Sequence, residues 1–410
     1  MKRTITFSLL ALTLFAAGAW LRIKPTPAAA AAPPPALTFD LDKFEANIKK
    51  SLDGKSTGYA YAINVSGQLK RTGKGGVAVR ASDHENEKGV NVPVEQSATK
   101  RMNIASVTKT ITAAAVLRAI QDKKAVGYPN LTIESKIDPF LPPNWIRGNG
   151  VAGLSFKDLL SQYSGMNDIG DSTSIQSLRK WISIGVNRPK DNWVYINANV
   201  AIFRVVLPYM MANDQTRKAW NYLAAYDDLA LNNGVSQAFR DHVRSLIFEP
   251  MDIKNADFKS ADPVPTLLYN TANEAKGYPV GDWLTNGGGG GWFLSAVDLA
   301  SFLAHLRYDD QVLKPPMRKL MDDNRLGWRP PKDYASSVHG KYGDYFAHGG
   351  GLNYGTKSAP VGMSSGIMSY PNGVQVALLI NSLGTYGDKI VILKDAFDEA
   401  WVVGQTKANP

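Results

Sequence analysis

The chain has 410 residues with 44% hydrophobic and 10% aromatic content, the profile of a globular protein with one large or two intimately packed domains. Its formal net charge is +10, but Lys and Arg are scattered among acids without a basic block, so no nucleic-acid partner is expected. Cysteine is absent, which excludes disulfides, thiolate nucleophiles, thiolate metal sites and cysteine acylation, and leaves chemistry to hydroxyls, amines, carboxylates and five histidines.

Lys2 and Arg3 precede an apolar stretch from Ile5 to Leu21, followed by an Ala/Pro-rich linker from Pro25 to Ala36. This is the pattern of a secretion signal. Small residues at Ala28 to Ala32 offer a cleavage site, the favoured outcome, whereas Arg22 and Lys24 are also compatible with a retained membrane anchor. Residues 1–36 are therefore assigned to a signal peptide or anchor plus linker. The expected location is the periplasm or cell surface of a bacterium, with inner-membrane anchoring if the segment is kept.

Beyond the linker, Leu41 to Leu52 has helical spacing, and Gly58 to Val79 reads as two strands around a Ser66-Gly67 turn. From Ile104 to Lys124 the apolar residues cover most of a helix circumference, which predicts a central, buried helix. Between Leu131 and Leu320 the pattern is mainly helical, at Lys157–Gln162, Val200–Met210, Val235–Ile247 and Ala296–Leu306, and few strands are evident. Strand character returns at Met363–Tyr370 and Val374–Asn381, joined by Pro371-Asn372-Gly373, before a last helix over Lys389–Trp401. The sheet is thus predicted to come from both chain ends.

Three elements carry chemistry. Ser106-Val107-Thr108-Lys109 opens the central helix and sets an amine one turn from a hydroxyl on the same face, where a desolvated lysine can draw the serine proton. Ser97 to Lys100 and Ser177 to Lys180 repeat the spacing, but in polar surroundings that would not hold the pair rigidly. Tyr195-Ile196-Asn197 supplies a phenol able to move a proton and an amide able to hold the lysine or a substrate carbonyl; Tyr128-Pro129-Asn130 and Tyr370-Pro371-Asn372 share the letters but are proline turns. His348-Gly349-Gly350-Gly351 offers a backbone that can pass close to a substrate and present N–H groups to an oxyanion. The run Gly287 to Gly291 reads as a loop; a phosphate cradle there lacks the Lys-Ser/Thr pair.

In this order the elements closely resemble the penicillin-binding protein and serine β-lactamase superfamily, specifically its class C β-lactamase-like branch. Ile104 to Thr110, Leu159 to Met166, Phe248-Glu249-Pro250-Met251 and Gly290 to Leu299 look like signatures of the same branch, so the resemblance covers nearly all of residues 37–410. It implies an α+β fold with an antiparallel sheet from both chain ends flanked by helices and an inserted, mainly helical domain. The sheet subdomain would span about 37–125 and 330–410, the helical one about 126–329, with the site in the cleft between them. It also implies Ser106 as nucleophile, Lys109 as its activator and Tyr195 as general base and acid. Asn197 would position Lys109 or substrate, His348, Gly349, Gly350 and Gly351 would form the third motif, and the Ser106 and Gly351 N–H groups would make the oxyanion hole. No cofactor is implied, and the substrate would be a small-molecule or peptide ester or amide.

The chain departs from the branch at the third motif, where β-lactamases and carboxypeptidases usually carry Lys, then Thr or Ser, then Gly. Histidine, with an ordinary pKa near 6.5, is largely neutral at neutral pH, so substrate carboxylates should be gripped less firmly. This favours an esterase or amidase of D-amino acid or cell-wall-related substrates. The alternatives are a β-lactamase or D-Ala-D-Ala carboxypeptidase and a non-catalytic penicillin- or peptidoglycan-binding protein. Asn353 to Val361 reads as a lengthened loop. No metal site is expected, because His84, His242, His305, His339 and His348 show no close ligand spacing.

Overall fold

A computed structural model describes residues 37–170, 173–273, 275–330 and 338–403; the signal or anchor and the linker assigned to 1–36 lie outside them. Helix α1 (Leu41–Leu52) is capped by the Asp40 carboxylate, which accepts from the Lys43 N–H, and buries Phe44, Ile48 and Leu52 at helical spacing. Strands β1 (Gly58–Val65) and β2 (Gln68–Val79) follow. Ser66 and Gly67, at φ 50° and 79°, supply the two positive φ angles that a two-residue hairpin turn needs. Helix α2 (Thr108–Gln121) is buried on nearly every side, as its sequence predicts.

Further along come α3 (Phe203–Met211), α4 (Asp228–Val243), β3 (Leu267–Asn270) and α5 (Ala296–Tyr308). The last of these starts with a capping box between Ser295 and Asp298. Strands β4 (Phe346–Gly355), β5 (Pro360–Ser369) and β6 (Val374–Ile380) and helix α6 (Lys389–Asp398) complete the core.

The strands pair antiparallel in the order β4–β5–β6–β1–β2. Val374 stands opposite Val65 and Ile380 opposite Tyr59, so the two chain ends meet mid-sheet. Both faces are covered, which is why β6 is buried along its whole length and apolar apart from Gln375. On one face Tyr59, Tyr61, Ile63, Val376 and Leu378 join α1 and α6. On the other, Ala60, Ala62, Ala377 and Leu379 leave room for α5.

One expectation is corrected. Asn353 to Val361 is not a loop: β4 and β5 run through it, leaving only 356–359 as the turn. The glycines of β4 erase the alternation that marks a strand, and its extended form is held by pairing along β5. The middle of the chain has few strands, as expected: β3 joins the sheet where Tyr269 meets Gly362, and Phe293–Leu294 pairs with Met102–Asn103. In addition, helices form over Ile175–Ile184, Asp214–Tyr226 and Pro315–Asp323, which the sequence reading did not single out.

Phe397 of α6 sits at the centre of the α1/α6 layer. Its ring stacks on Tyr370 with centroids 3.9 Å apart and meets Tyr345 and Phe44 edge-on at 5.3 and 6.1 Å. Phe397→Ala is expected to destabilise the fold by about 3–5 kcal/mol, read as a drop in denaturant midpoint at unchanged slope. A loss below about 1 kcal/mol would mean the layer collapses around the gap.

Candidate active site

Between Asn103 and α2 the chain makes a single tight turn, Ala105–Val107. Ala105 adopts φ 46°, the sparsely populated left-handed region for a residue with a Cβ, and its N–H donates to Asn103 Oδ1 at 2.8 Å. The turn is locked on its outer side by β4. A Cβ on Gly350 would fall 2.5 Å from the Ile104 carbonyl oxygen and 2.4 Å from Ser365 Oγ, so only glycine lets the strand lie this close. Ser365 itself donates its hydroxyl to the Ile104 carbonyl at 2.7 Å.

This places Ser106, half-buried, above Lys109, which is fully buried one helical turn on. Lys109 Nζ donates to Ser106 Oγ at 2.9 Å, Asn197 Oδ1 at 2.8 Å and the Gly289 carbonyl at 2.6 Å, three acceptors for the three protons of an ammonium. The Tyr195 ring covers the same nitrogen, 4.9 Å from its centroid. Tyr195-Ile196-Asn197 is held in turn by Gln162, whose Oε1 accepts from the Ile196 N–H at 3.0 Å and from Asn199 Nδ2 at 2.6 Å.

The glycine run works through its carbonyls. Those of Gly287, Gly288 and Gly289 accept from the buried side chains of Arg204, Thr112 and Lys109 respectively. A phosphate cradle needs inward N–H groups, and this edge is built the other way round.

His348 is buried at 3% exposure, its ring centroid 6.2 Å from that of Tyr195. Nδ1 lies 2.9 Å from the Gly327 carbonyl, so in the neutral ring Nδ1 carries the hydrogen and Nε2 the lone pair. Burial, then the Lys109 and Arg329 cations, hold the ring well below its ordinary pKa, against the opposing pull of the Gly327 carbonyl. An unfolded histidine takes a proton near pH 6.5 whereas this one resists it. Stability from the neutral ring is therefore full above about pH 6.5 and falls as the pH drops, by about 1.4 kcal/mol per pH unit. His348→Gln is expected to remove that part of the acid limb, seen in denaturant midpoints at pH 7.5 and 5.5. His242, also held down by burial, titrates in both proteins and cancels. An equal fall in parent and variant would reject the assignment.

A cavity of about 320 Å³ opens over Ser106, with Asn197, Gly289 and Gly351 on its walls. Of the residues singled out from the sequence, Ser106, Asn197 and Gly351 thus reach this cavity, while Lys109, Tyr195 and His348 converge behind it around a narrow void. Gly349 and Gly350 are packing positions: a Cβ on Gly349 would press on Lys389 and Ile390 of α6. The competing serine–lysine pairs are not assembled. Lys100 Nζ turns to the Val264 carbonyl at 2.5 Å, and the Ser177 N–H donates to Ser174 Oγ in a helix cap. Gln162, the Gly289 carbonyl, Trp283 and Tyr354 were not assigned roles from the sequence; Gln162 left a trace inside the Leu159 to Met166 signature and Gly289 inside the Gly287 to Gly291 run, whereas Trp283 left none.

Comparison with known proteins bears on the family and the fold. The family model described as Beta-lactamase matches residues 44–396. Among solved structures, FmtA from Staphylococcus aureus is similar at TM-score 0.60 and 15% identity, over 89% of this chain and 92% of that one. A class C beta lactamase from Rhodobacter sphaeroides is similar at TM-score 0.60 and 12% identity, over 87% and 98%. D-amino acid amidase from Ochrobactrum anthropi SV3 is similar at TM-score 0.55 and 16% identity, over 87% and 97%. No curated protein matches the chain in sequence.

Proposed function

The chain belongs to the Beta-lactamase family, and from that premise we propose that it is an exported serine hydrolase that cleaves ester or amide substrates through an acyl-enzyme on Ser106. The observation that carries this reading is the 2.9 Å contact between Lys109 Nζ and Ser106 Oγ beneath an open cavity. Lys109, once it has given up a proton, turns its lone pair to the Ser106 hydroxyl and takes that proton while Oγ bonds to the substrate carbonyl carbon. The oxyanion is met by the Ser106 and Gly351 N–H groups. Tyr195, over Lys109, relays the proton to the departing alcohol or amine, and water then frees the acid by the reverse route.

Amide or ester substrates of D-amino acid or cell-wall type are favoured over β-lactams, because the third-motif position holds a neutral, buried His348 in place of a cation. The similarity to a D-amino acid amidase supports the same preference. Export rests on Lys2, Arg3 and the apolar run from Ile5 to Leu21. The test is intact-protein mass spectrometry after parallel exposure to a fluorophosphonate, a p-nitrophenyl ester and a penicillin, with peptide mapping. Fluorophosphonate labelling at Ser106, ester turnover and no lasting penicilloyl adduct are expected. A stable penicilloyl adduct would move the protein to a penicillin-binding role, and no labelling by any probe to a non-catalytic one.

A further inference from the structure

Accepting the serine hydrolase reading, the cavity walls say more about the substrate. Among the described residues that line it none is charged, and Trp283, Leu352 and Tyr354 supply the large apolar part of its wall. The wall is rigid. The Trp283 N–H of the main chain donates to the Phe258 carbonyl at 2.9 Å. Its ring lies against Gly290 and Gly291, where a Cβ would stand 3.4 and 2.9 Å from Trp283 atoms. Burial pushes the Tyr354 hydroxyl up, and the neighbouring Trp283 side chain opposes that rise. Tyr354 is stacked from behind by Tyr278, with centroids 4.6 Å and planes 16° apart. It reaches the cavity because β4 continues as a strand to Gly355, with Tyr354 opposite Val361. The stretch that resembled a lengthened loop is what carries the aromatic ring to the site.

We propose that this wall receives a neutral aromatic or branched apolar group of the substrate beside the scissile carbonyl, and that the site gives no added affinity for a carboxylate on that group. An aromatic face held by fixed neighbours gains stacking and burial energy without an ordering cost, whereas a carboxylate entering an uncharged cavity loses its hydration and finds no cation on the wall. At about 320 Å³ the cavity sits at the small end of ligand sites, sized for one such group and the reacting carbonyl.

The test uses the full chain turning over p-nitrophenyl acetate, inhibited by methylboronic, phenylboronic and 3-carboxyphenylboronic acids. In each adduct Ser106 Oγ donates an electron pair to boron, and the serine proton passes to the Lys109 side. Phenylboronic acid is expected to inhibit at least about tenfold more tightly than methylboronic acid, and the added carboxylate to give no gain. Tyr354→Ala should cut the phenyl-to-methyl ratio about tenfold, while Tyr354→Phe, which keeps the ring, should retain it. Because each variant is read as a ratio, a change in the amount of folded protein does not move the result. An unchanged ratio in Tyr354→Ala, or tenfold tighter binding of the carboxylated compound, would overturn the proposal while leaving the serine hydrolase reading intact. Failure of the parent both to hydrolyse the ester and to bind any boronate would overturn both.

Discussion

Ser106→Ala is expected to lower kcat/KM for p-nitrophenyl acetate by about 10⁴-fold, close to 5.5 kcal/mol of transition-state stabilisation, and to abolish fluorophosphonate labelling. The size follows from the chemistry: with no Oγ the covalent route is gone, and what remains is attack by water on a bound carbonyl. The fold should barely notice. Ser106 is half-buried, its hydroxyl is one of three acceptors for Lys109 Nζ, and Asn197 Oδ1 and the Gly289 carbonyl remain. Parental turnover in the purified variant, or an adduct mapped to Ser97 or Ser177, would reject the assignment.

Lys109→Met carries the second large effect and divides it between rate and stability. The rate should fall by about 10³-fold, within the range for loss of a positioned proton acceptor. Stability responds to opposing terms. Removing a fully buried ammonium with no carboxylate among its hydrogen-bond partners relieves a desolvation penalty, but leaves Asn197 Oδ1 and the Gly289 carbonyl without a donor. Each unsatisfied acceptor costs about 1–3 kcal/mol, so a net loss of about 1–3 kcal/mol is expected. Lys109→Gln, which keeps a donor, should be as slow and nearer to parental stability. If both variants kept kcat within tenfold of the parent, Lys109 would be a structural cation and the proton would have to leave Ser106 by another path.

The parts of the site that were legible in the sequence are the local ones. Ser106 and Lys109 are tied by helical spacing alone, and choosing them over Ser97 and Ser177 needed only the apolar helix behind them. The Ser66-Gly67 hairpin and the buried α2 were legible for the same reason. What escaped depends on partners far along the chain or on main-chain atoms that side-chain letters do not report. The Gly289 carbonyl is brought to Lys109 across 180 residues. Tyr354 reaches the cavity only because β5 keeps β4 extended beyond its glycines. His348 was expected at the substrate carboxylate, and the structure places it buried behind Tyr195 and Lys109.

The meeting of the chain ends in the middle of the sheet also sets an order of events during synthesis. Strand β1 emerges early, yet its partner β6 lies about 300 residues later, a separation that places a large loop-closure cost ahead of the reward of pairing. Until β6 has emerged, one hydrogen-bonding edge of β1 has no native partner, and the β1–β2 hairpin alone is marginal in water. A product truncated before Val374 therefore keeps α2 with its serine–lysine pair but lacks β6, the strand that joins β5 to β1. Such a fragment is a substrate for proteases and for aggregation rather than a smaller enzyme.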